Sequence, residues 1–427
     1  MILLILLTLL GLLSSGLETR KCSVSENEQS SVTYLLRRML SSYNPDDIPN
    51  PSILLALRLA RDHNLKIEKE MIEKLKEDAV FRDQINVTFS SGQVALSVLA
   101  LQASCSDPQN VLAWNSSVDL VDLLQRKYNE ELQNIQNHGY PITNYYQLGL
   151  DVLALCLQNV KPDVSPLLVP TCKPTQYYHG NQFSVDTASV AVLGMVCVKN
   201  RTDLNLKERL KIKLSLFCLM EKMRKEKTSG MIGNIYSTGL AMQAFFESDE
   251  FYIPLFWNCS QTLHKVLGEI PLGTFDNPMA ASQITPALEG KTYLDVRGKN
   301  CAADKDNLMI STTVPAPMSP PTNITVTYTV TEGVNNTFSD STIVTVPEGS
   351  VFLTVMEKAQ ELNSIKFSFT VVSSSWGPYV NSVRGVAASD KDRTYWQLLS
   401  GTTPLPQGVG SYKPSNGERL VVKLSIY

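Results

Sequence analysis

The feature that most limits how this chain can fold is a recurring unit: a short polar head that opens a run of small and apolar residues. The clearest copy runs from Ser184 through Asp186 and Thr187 into Ala188 to Cys197. Ser91-Gly92-Gln93 opens Val94 to Leu101 and closes near Cys105, Tyr145-Tyr146-Gln147 opens Leu148 to Cys156, and Asn234 to Gly239 opens Leu240 to Phe246. Asn277 to Gln283 makes a fifth head. With Gln93, Gln147, Asp186, Asn234 and Gln283 as markers, the intervals are 54, 39, 48 and 49 residues. That length holds two helices and two loops, and repetition at such a period predicts stacked supersecondary units.

Between the heads lie more amphipathic stretches. Val32, Leu35, Leu36, Met39 and Leu40 fall on one helical stripe, Ile53 to Ala60 forms an apolar helical run, and Ile67, Met71 and Leu75 mark a helix otherwise rich in Glu and Lys. Val118 to Asn134, Asn205 to Met223 and Gln261 to Glu269 are helical by the same criterion. Each polar-headed helix is therefore expected to follow an amphipathic partner. Ala154, Ala188, Gly194, Ala241 and Ala244 would let the inner helices approach closely. A closed or curved array of helical hairpins results, with the helix N-termini and their polar heads gathered around one cavity.

The texture changes at Ala302. Asp306 to Thr322 is rich in Pro, Ser and Thr, including Pro315, Pro317, Pro320 and Pro321, which predicts an extended linker. Beyond it, the alternating runs Ile324 to Val330, Thr342 to Val346, Ile365 to Val371 and Leu420 to Tyr427 predict strands, with one helix at Val351 to Leu362 covering the sheet. The expected divisions are a signal peptide at 1–16, a helical domain at 17–301, a linker at 302–322 and a β-rich domain at 323–427. The apolar start, Met1 to Leu13, followed by Ser14-Ser15-Gly16, has the form of a secretory signal, although it lacks Lys or Arg.

Eight cysteines, Cys22, Cys105, Cys156, Cys172, Cys197, Cys218, Cys259 and Cys301, are widely scattered with no C-x-x-C pair, which favours long-range disulfides over zinc or redox chemistry. Sequons at Asn86, Asn115, Asn200, Asn258, Asn323 and Asn335 add to the expectation of a secreted glycoprotein. A net charge of -3 leaves no electrostatic footprint for nucleic acid. No later apolar run is long enough to span a membrane.

Catalytic patterns are sparse. His63, His138, His179 and His264 are dispersed without metal-binding spacing and are expected at the surface or in loops. Asp151 and Asp186 offer a carboxylate pair of the kind an inverting glycosidase uses, but their depths along successive helices differ by about 6 Å at the helical rise. Asp186 is also placed to cap its helix through Ala188 or Ser189. The marker set is mostly neutral amides, which both donate and accept. It suits a large neutral ligand that carries its own amides and is bound without being transformed. An adhesive or receptor-binding glycoprotein is a further reading.

Longer motifs carry a resemblance. Thr143 to Cys156, Phe183 to Thr187, Ile232 to Thr238, Gly290 to Asp295, Ser375 to Tyr379 and Thr394 to Gly401 occur in the order found in the vertebrate cobalamin carriers, comprising haptocorrin, intrinsic factor and transcobalamin. Gly349 to Gln360 and Gly408 to Tyr412 are most similar to the haptocorrin branch. The resemblance implies a mainly α protein, an (α/α)6 barrel followed by a small β-rich α+β domain, with cobalamin (vitamin B12) sandwiched between them and no catalytic role. It implies barrel contacts from Gln93, Thr143, Asn144, Tyr145, Tyr146, Gln147, Asp186, Asn234 and Gln283. It implies contacts on the other face from Ser375, Trp376, Gly377, Pro378, Tyr379 and Val380, and from Trp396, Gln397, Leu398, Leu399, Ser400, Gly401, Thr402, Thr403, Pro404 and Leu405. For Trp376 and Trp396, ordinary core packing is the competing expectation. Bridges Cys22–Cys259, Cys105–Cys301 and Cys156–Cys197 are implied as well, leaving Cys172 and Cys218 as a conjectural pair. Where the transcobalamin branch has a cobalt-binding His directly before Ser-Val-Asp, this chain has Phe183. No protein side chain is then expected on cobalt, and tolerance of altered corrinoids follows. A cell-surface uptake receptor and a monomeric carrier complete the expectation.

Overall fold

The computed structural model describes residues 22–85, 89–179, 182–248, 257–309, 323–374, 377–389, 392–405 and 407–426. The expected signal segment and Asn86 lie outside these residues.

Among the described residues, eleven helices build the first unit: α1 (Gln29–Ser41), α2 (Pro51–Leu59), α3 (Leu65–Gln84), α4 (Ser91–Ala103), α5 (Leu120–His138), α6 (Tyr145–Leu157), α7 (Val185–Lys199), α8 (Leu206–Lys225), α9 (Thr238–Phe246), α10 (Cys259–Glu269) and α11 (Pro278–Leu288). Helices α2, α4, α6, α7, α9 and α11 pack in that order, and α11 returns to α2, closing an inner ring of six. A helix apolar on every side must be enclosed, and α7 is buried at every position from Thr187 to Val198. Backbones nearly touch where glycine permits: a Cβ on Gly194 would stand 3.0 Å from the Gly149 carbonyl oxygen. The ring has one head that the five markers missed, Asn50-Pro51, where Asn50 Oδ1 accepts from Ser52 N at 2.9 Å and Pro51 occupies the first turn. The Asn277-Pro278 head is built the same way.

The outer layer departs from expectation in one sector. Helix α7 follows no amphipathic helix; the described residues between 158 and 184 carry short 3-10 turns at Ser165–Leu167 and Thr175–Tyr177 and a two-residue strand pair, Tyr178–His179 with Gln182–Phe183. Pro162, Pro166, Pro170 and Pro174 recur every four residues, and each removes a helical N–H and clashes with the carbonyl one turn back. The segment is secured instead by Tyr177 Oη donating to Leu167 O (2.7 Å), by Val169 N donating to Ser215 Oγ (2.8 Å) and by a Cys172–Cys218 bridge. The other bridges are Cys22–Cys259, Cys105–Cys301 and Cys156–Cys197.

His63 lies in the loop between α2 and α3, as expected, but not at the surface. It is 1% exposed, with Nδ1 3.1 Å from Glu68 Oε2 and Nε2 3.2 Å from Asp304 Oδ1, beside Arg58, which bonds both carboxylates. Leu65 N donates to Asp306 Oδ1 (3.0 Å) and Asn64 Nδ2 to Leu308 O (2.9 Å), so the first residues of the expected linker are fixed to the barrel wall. Residues 310–322 lie outside the described set.

The second unit has its own core. Strands β1 (Asn323–Glu332), β2 (Ser339–Pro347), β3 (Phe369–Ser374), β4 (Gly377–Val383), β5 (Val386–Ala387), β6 (Thr394–Ser400), β7 (Thr403–Pro404) and β8 (Arg419–Ile426) form a five-stranded sheet in the order β7-β6-β8-β1-β2 and a three-stranded sheet β5-β4-β3. Only the β8–β1 pair in these sheets is parallel. Helix α12 (Phe352–Leu362) covers the larger sheet with Phe352, Val355, Met356 and Ala359. The strand expected from Ile365 begins at Phe369, because Asn363 Oδ1 accepts from Ile365 N and Lys366 N and starts the short helix α13 (Ser364–Phe367).

Candidate ligand-binding site

The six inner helices run parallel. Their C-terminal ends meet through Cys156–Cys197 and through Gln102 Nε2, which donates to Leu157 O at 3.3 Å. Their N-terminal ends meet through the polar heads. On α4, Ser90 Oγ accepts from Gln93 N while Gln93 Oε1 accepts from Ser90 N at 3.0 Å, a reciprocal capping box. On α6, Asn144 Oδ1 caps by accepting from Gln147 N (3.0 Å), and Gln147 Oε1 reaches across to accept from Gly92 N (3.0 Å). Thr143, Tyr145 and Tyr146 flank this contact. Burial pushes the Tyr145 phenol up and the Tyr146 phenol well up.

Asp186 is not the cap of α7. Ser184 holds that position, its Oγ accepting from Thr187 N at 3.2 Å. The Asp186 carboxylate instead accepts from Ser237 Oγ at 2.6 Å, linking α7 to the head of α9. Burial raises its pKa, opposed by the Ser237 bond and its own backbone N–H. One carboxylate oxygen is thus committed, and the other retains accepting capacity. Asn234 Oδ1 accepts from Tyr236 N (2.8 Å) and Ser237 N (2.9 Å), which turns the chain into α9. Gln283 lies inside α11 and is half-buried, and its carbonyl would stand 2.4 Å from a Cβ on Gly239.

Asn277 joins the two units. Its Oδ1 caps α11 through Met279 N and Ala280 N, and its Nδ2 donates to Gly410 O of the second unit at 3.3 Å. Nearby, the Tyr412 phenol is pushed up to about 12 by burial, by its bond to Glu418 and by the facing Tyr236. The second unit therefore sits at the head end of the ring.

On that unit, Ser375 and Trp376 lie outside the described residues. Gly377 begins β4, Pro378 is half-exposed and abuts Gly410, Tyr379 is 40% exposed and Val380 is buried. Trp396 follows the competing expectation of core packing: it is 3% exposed, belongs to the core beside Phe338, and donates from Nε1 to Val386 O at 3.1 Å. Leu398 faces the same core and Leu399 is buried on the opposite face. Gln397 Oε1 accepts from Ser425 Oγ (3.1 Å). Ser400 leads into the Gly401-Thr402 turn, where Gly401 has φ 60°; Thr402, Thr403 and Pro404 are exposed and Leu405 is half-buried.

Asp151 is 0% exposed; burial, opposed by the nearby Ser91 hydroxyl and reinforced by Glu131, holds the group well above the carboxylate range. It does not open onto the mouth. Phe183 is 6% exposed, packed on Tyr178 at 5.5 Å with Lys222 over the ring at 5.4 Å. The described sequon asparagines, Asn115, Asn200, Asn258, Asn323 and Asn335, are all exposed.

Among the described residues, no helix is long and apolar enough to cross a membrane, and no group of three or more His, Cys, Asp or Glu could hold a metal ion. A closed α/α barrel whose mouth carries amides and hydroxyls, with a second unit seated on that mouth, defines a protein that encloses a polar organic ligand. The chain belongs to the family of eukaryotic cobalamin-binding proteins, whose profile matches residues 2–323. A second profile, a domain of unknown function, matches residues 349–425. Human transcobalamin-1 is 41% identical over 418 residues, covering 95% of this chain and 94% of its own. Rat cobalamin binding intrinsic factor is 37% identical over 96% of this chain and 94% of its own. The solved structure of haptocorrin in complex with Cbi superimposes with a TM-score of 0.78 at 38% identity, covering 95% of this chain and 99% of that one.

Proposed function

We propose that this chain is a secreted, glycosylated corrinoid carrier that binds cobalamin between the barrel mouth and the second unit, and transports it unchanged. Family membership, together with haptocorrin in complex with Cbi (cobinamide, a corrinoid), supports corrinoid binding and transport. The observation that carries the two-sided enclosure is the Asn277–Gly410 hydrogen bond, which seats the second unit on the end of the barrel where Gln93, Gln147, Asp186 and Asn234 converge. The free oxygen of Asp186 would accept from an amide N–H on the corrin periphery, and backbone N–H groups at the helix heads would serve its carbonyls. Attachment of residues 304–308 to the barrel shortens the tether, and a short tether gives the second unit an effective concentration of order mM once the first has bound.

Phe183 offers no ligand to cobalt, which supports haptocorrin-like tolerance of corrinoid analogues. A monomeric carrier taken up through a cell-surface receptor completes the proposal. A glycosidase on the same scaffold would need two carboxyls open to water, and Asp151 is sealed from it.

Titration of the apo-protein with cobalamin, cobinamide and a base-altered cobalamin is the test. Stoichiometric absorbance changes with all three are expected. No change with any corrinoid overturns the proposal, and a response to cobalamin alone overturns the tolerance.

A further inference from the structure

Glu131 stands on the outer helix α5, 2% exposed and without an ion-pair partner among the described residues. A buried carboxylate without a cation is costly to keep and survives only where its hydrogen bonds are good. Glu131 has three. Oε2 accepts from Thr143 N (3.1 Å), and Oε1 accepts from Thr143 Oγ1 (2.7 Å) and Ser91 Oγ (3.2 Å). Thr143 immediately precedes Asn144, the cap of α6, and Ser91 immediately precedes Gly92, whose N–H is held by Gln147 Oε1. The chain of contacts closes on itself, from Glu131 through Ser91, Gly92 and Gln147 to Thr143 and back. The same Ser91 hydroxyl lies close to Asp151, one turn below Gln147, whose buried carboxyl competes for its proton.

We propose that Glu131 is a positioning residue for corrinoid binding: it touches no ligand, but its carboxylate fixes the spacing between the α4 head carrying Gln93 and the α6 head carrying Thr143 to Gln147. The Thr143 N–H requires an acceptor, whereas the two hydroxyls can accept as well as donate. A glutamine could keep the first bond but would replace two charge-assisted bonds by weaker neutral ones with the hydroxyls reversed, so a variant of nearly equal volume should loosen the heads. The inference rests on the corrinoid reading of the mouth, and its test has an arm that does not.

Glu131→Gln and Ser91→Ala are made singly and together in the full chain. Cobalamin should dissociate about tenfold faster from Glu131→Gln, the size expected when a bond to a charged group is lost. Ser91→Ala should have a smaller effect, and the double variant should fall short of the product of the two, since both act through one bond. In the apo-protein, hydrogen exchange at the amides of Gly92 and Thr143 to Gln147 should accelerate by a similar factor, while amides near Cys156 and Cys197 keep their wild-type rates. A folded Glu131→Gln that holds cobalamin as wild type does, or acceleration spread evenly over both ends of the ring, overturns the inference. If Glu131→Gln does not fold, Ser91→Ala alone decides by the same two readouts. A wild-type chain that binds no corrinoid would sink the carrier reading, and the exchange pattern would still decide whether Glu131 sets the heads.

Discussion

The two ends of the inner ring are held in different ways. At the C-terminal end, Cys156 is bonded to Cys197, Cys105 is tied to Cys301, and Arg297 Nη2 donates to the Cys156 carbonyl at 3.0 Å. At the N-terminal end no bridge crosses between the described heads, and the spacing rests on Gln147 with Gly92, Asp186 with Ser237, and Glu131 with Thr143 and Ser91. Covalent links need no polar surface and make no demand on ligand chemistry. Hydrogen-bonded heads combine two tasks, because the same amides and carboxylates that set the spacing retain lone pairs and N–H groups for a guest. On the proposed reading, the bridged end serves stability and the hydrogen-bonded end recognition.

The largest effect that could break this division comes from the bridged end. Replacing Cys156 and Cys197 by Ser opens a loop with a separation of 41 residues, and should destabilise the barrel by about 4 kcal/mol in denaturant unfolding on the chain-entropy view. Cobalamin affinity of the folded fraction should hardly move; a large loss of affinity would show that the ends are not separable. At the head end, Gly239→Ala would thrust a methyl group against the Gln283 carbonyl, 2.4 Å away. The result should be a loss of about 1–3 kcal/mol together with weaker cobalamin binding, measured by melting and by spectral titration.

Two carboxyls sharpen the comparison further. Asp186→Asn should weaken cobalamin binding roughly tenfold in equilibrium titration, as expected for a lost charge-assisted acceptor, without loss of thermal stability. Unchanged binding would remove Asp186 from the site. Asp151→Asn should leave binding alone and change only how stability depends on pH. The folded pKa of Asp151 lies above its ordinary 3.8, so the folded chain holds a proton that the unfolded chain releases. Wild-type stability should then fall as pH rises above about 4, by at most about 1.4 kcal/mol per pH unit from this group. The variant should lack that slope, and its advantage should vanish near pH 4. Parallel profiles for the two proteins would show that Asp151 is not held protonated.

Much of the architecture was legible because burial leaves a periodic mark. Helices α4, α6, α7, α9 and α11 were visible as polar-headed apolar runs, and the strands as alternation. What escaped lacked such a mark. Asn50-Pro51 opens an apolar run as Asn277-Pro278 does, but the neighbouring amphipathic stretches drew it into the outer layer. The cap of α7 was assigned to Asp186 because the first residue of the head, Ser184, carries the weaker hydroxyl signal; the Ser237 bond that engages Asp186 comes from a residue 51 positions away. Glu131 sits among exposed Glu, Gln and Asn on α5, and only the fold distinguishes it from them. The burial of His63 escaped for the same reason: it lies in a loop, as expected, but its partners Glu68 and Asp304 come together only when the start of the linker docks. The proline ladder at 162–174 was a readable signal for the missing outer helix, but the expectation of regular alternation overrode it.

That irregular sector has a consequence for how such a barrel can diversify. Position 183 sits at its very end, one residue before the Ser184 cap, in a two-residue strand that pairs only with Tyr178 and His179. A residue there belongs to no helix, yet its side chain packs into the barrel core against Tyr178. On the proposed reading, an exchange at this one position would change the edge of the guest's chamber while the helical backbone stays in place, and the change would be limited by the packing on Tyr178 that the new side chain must keep.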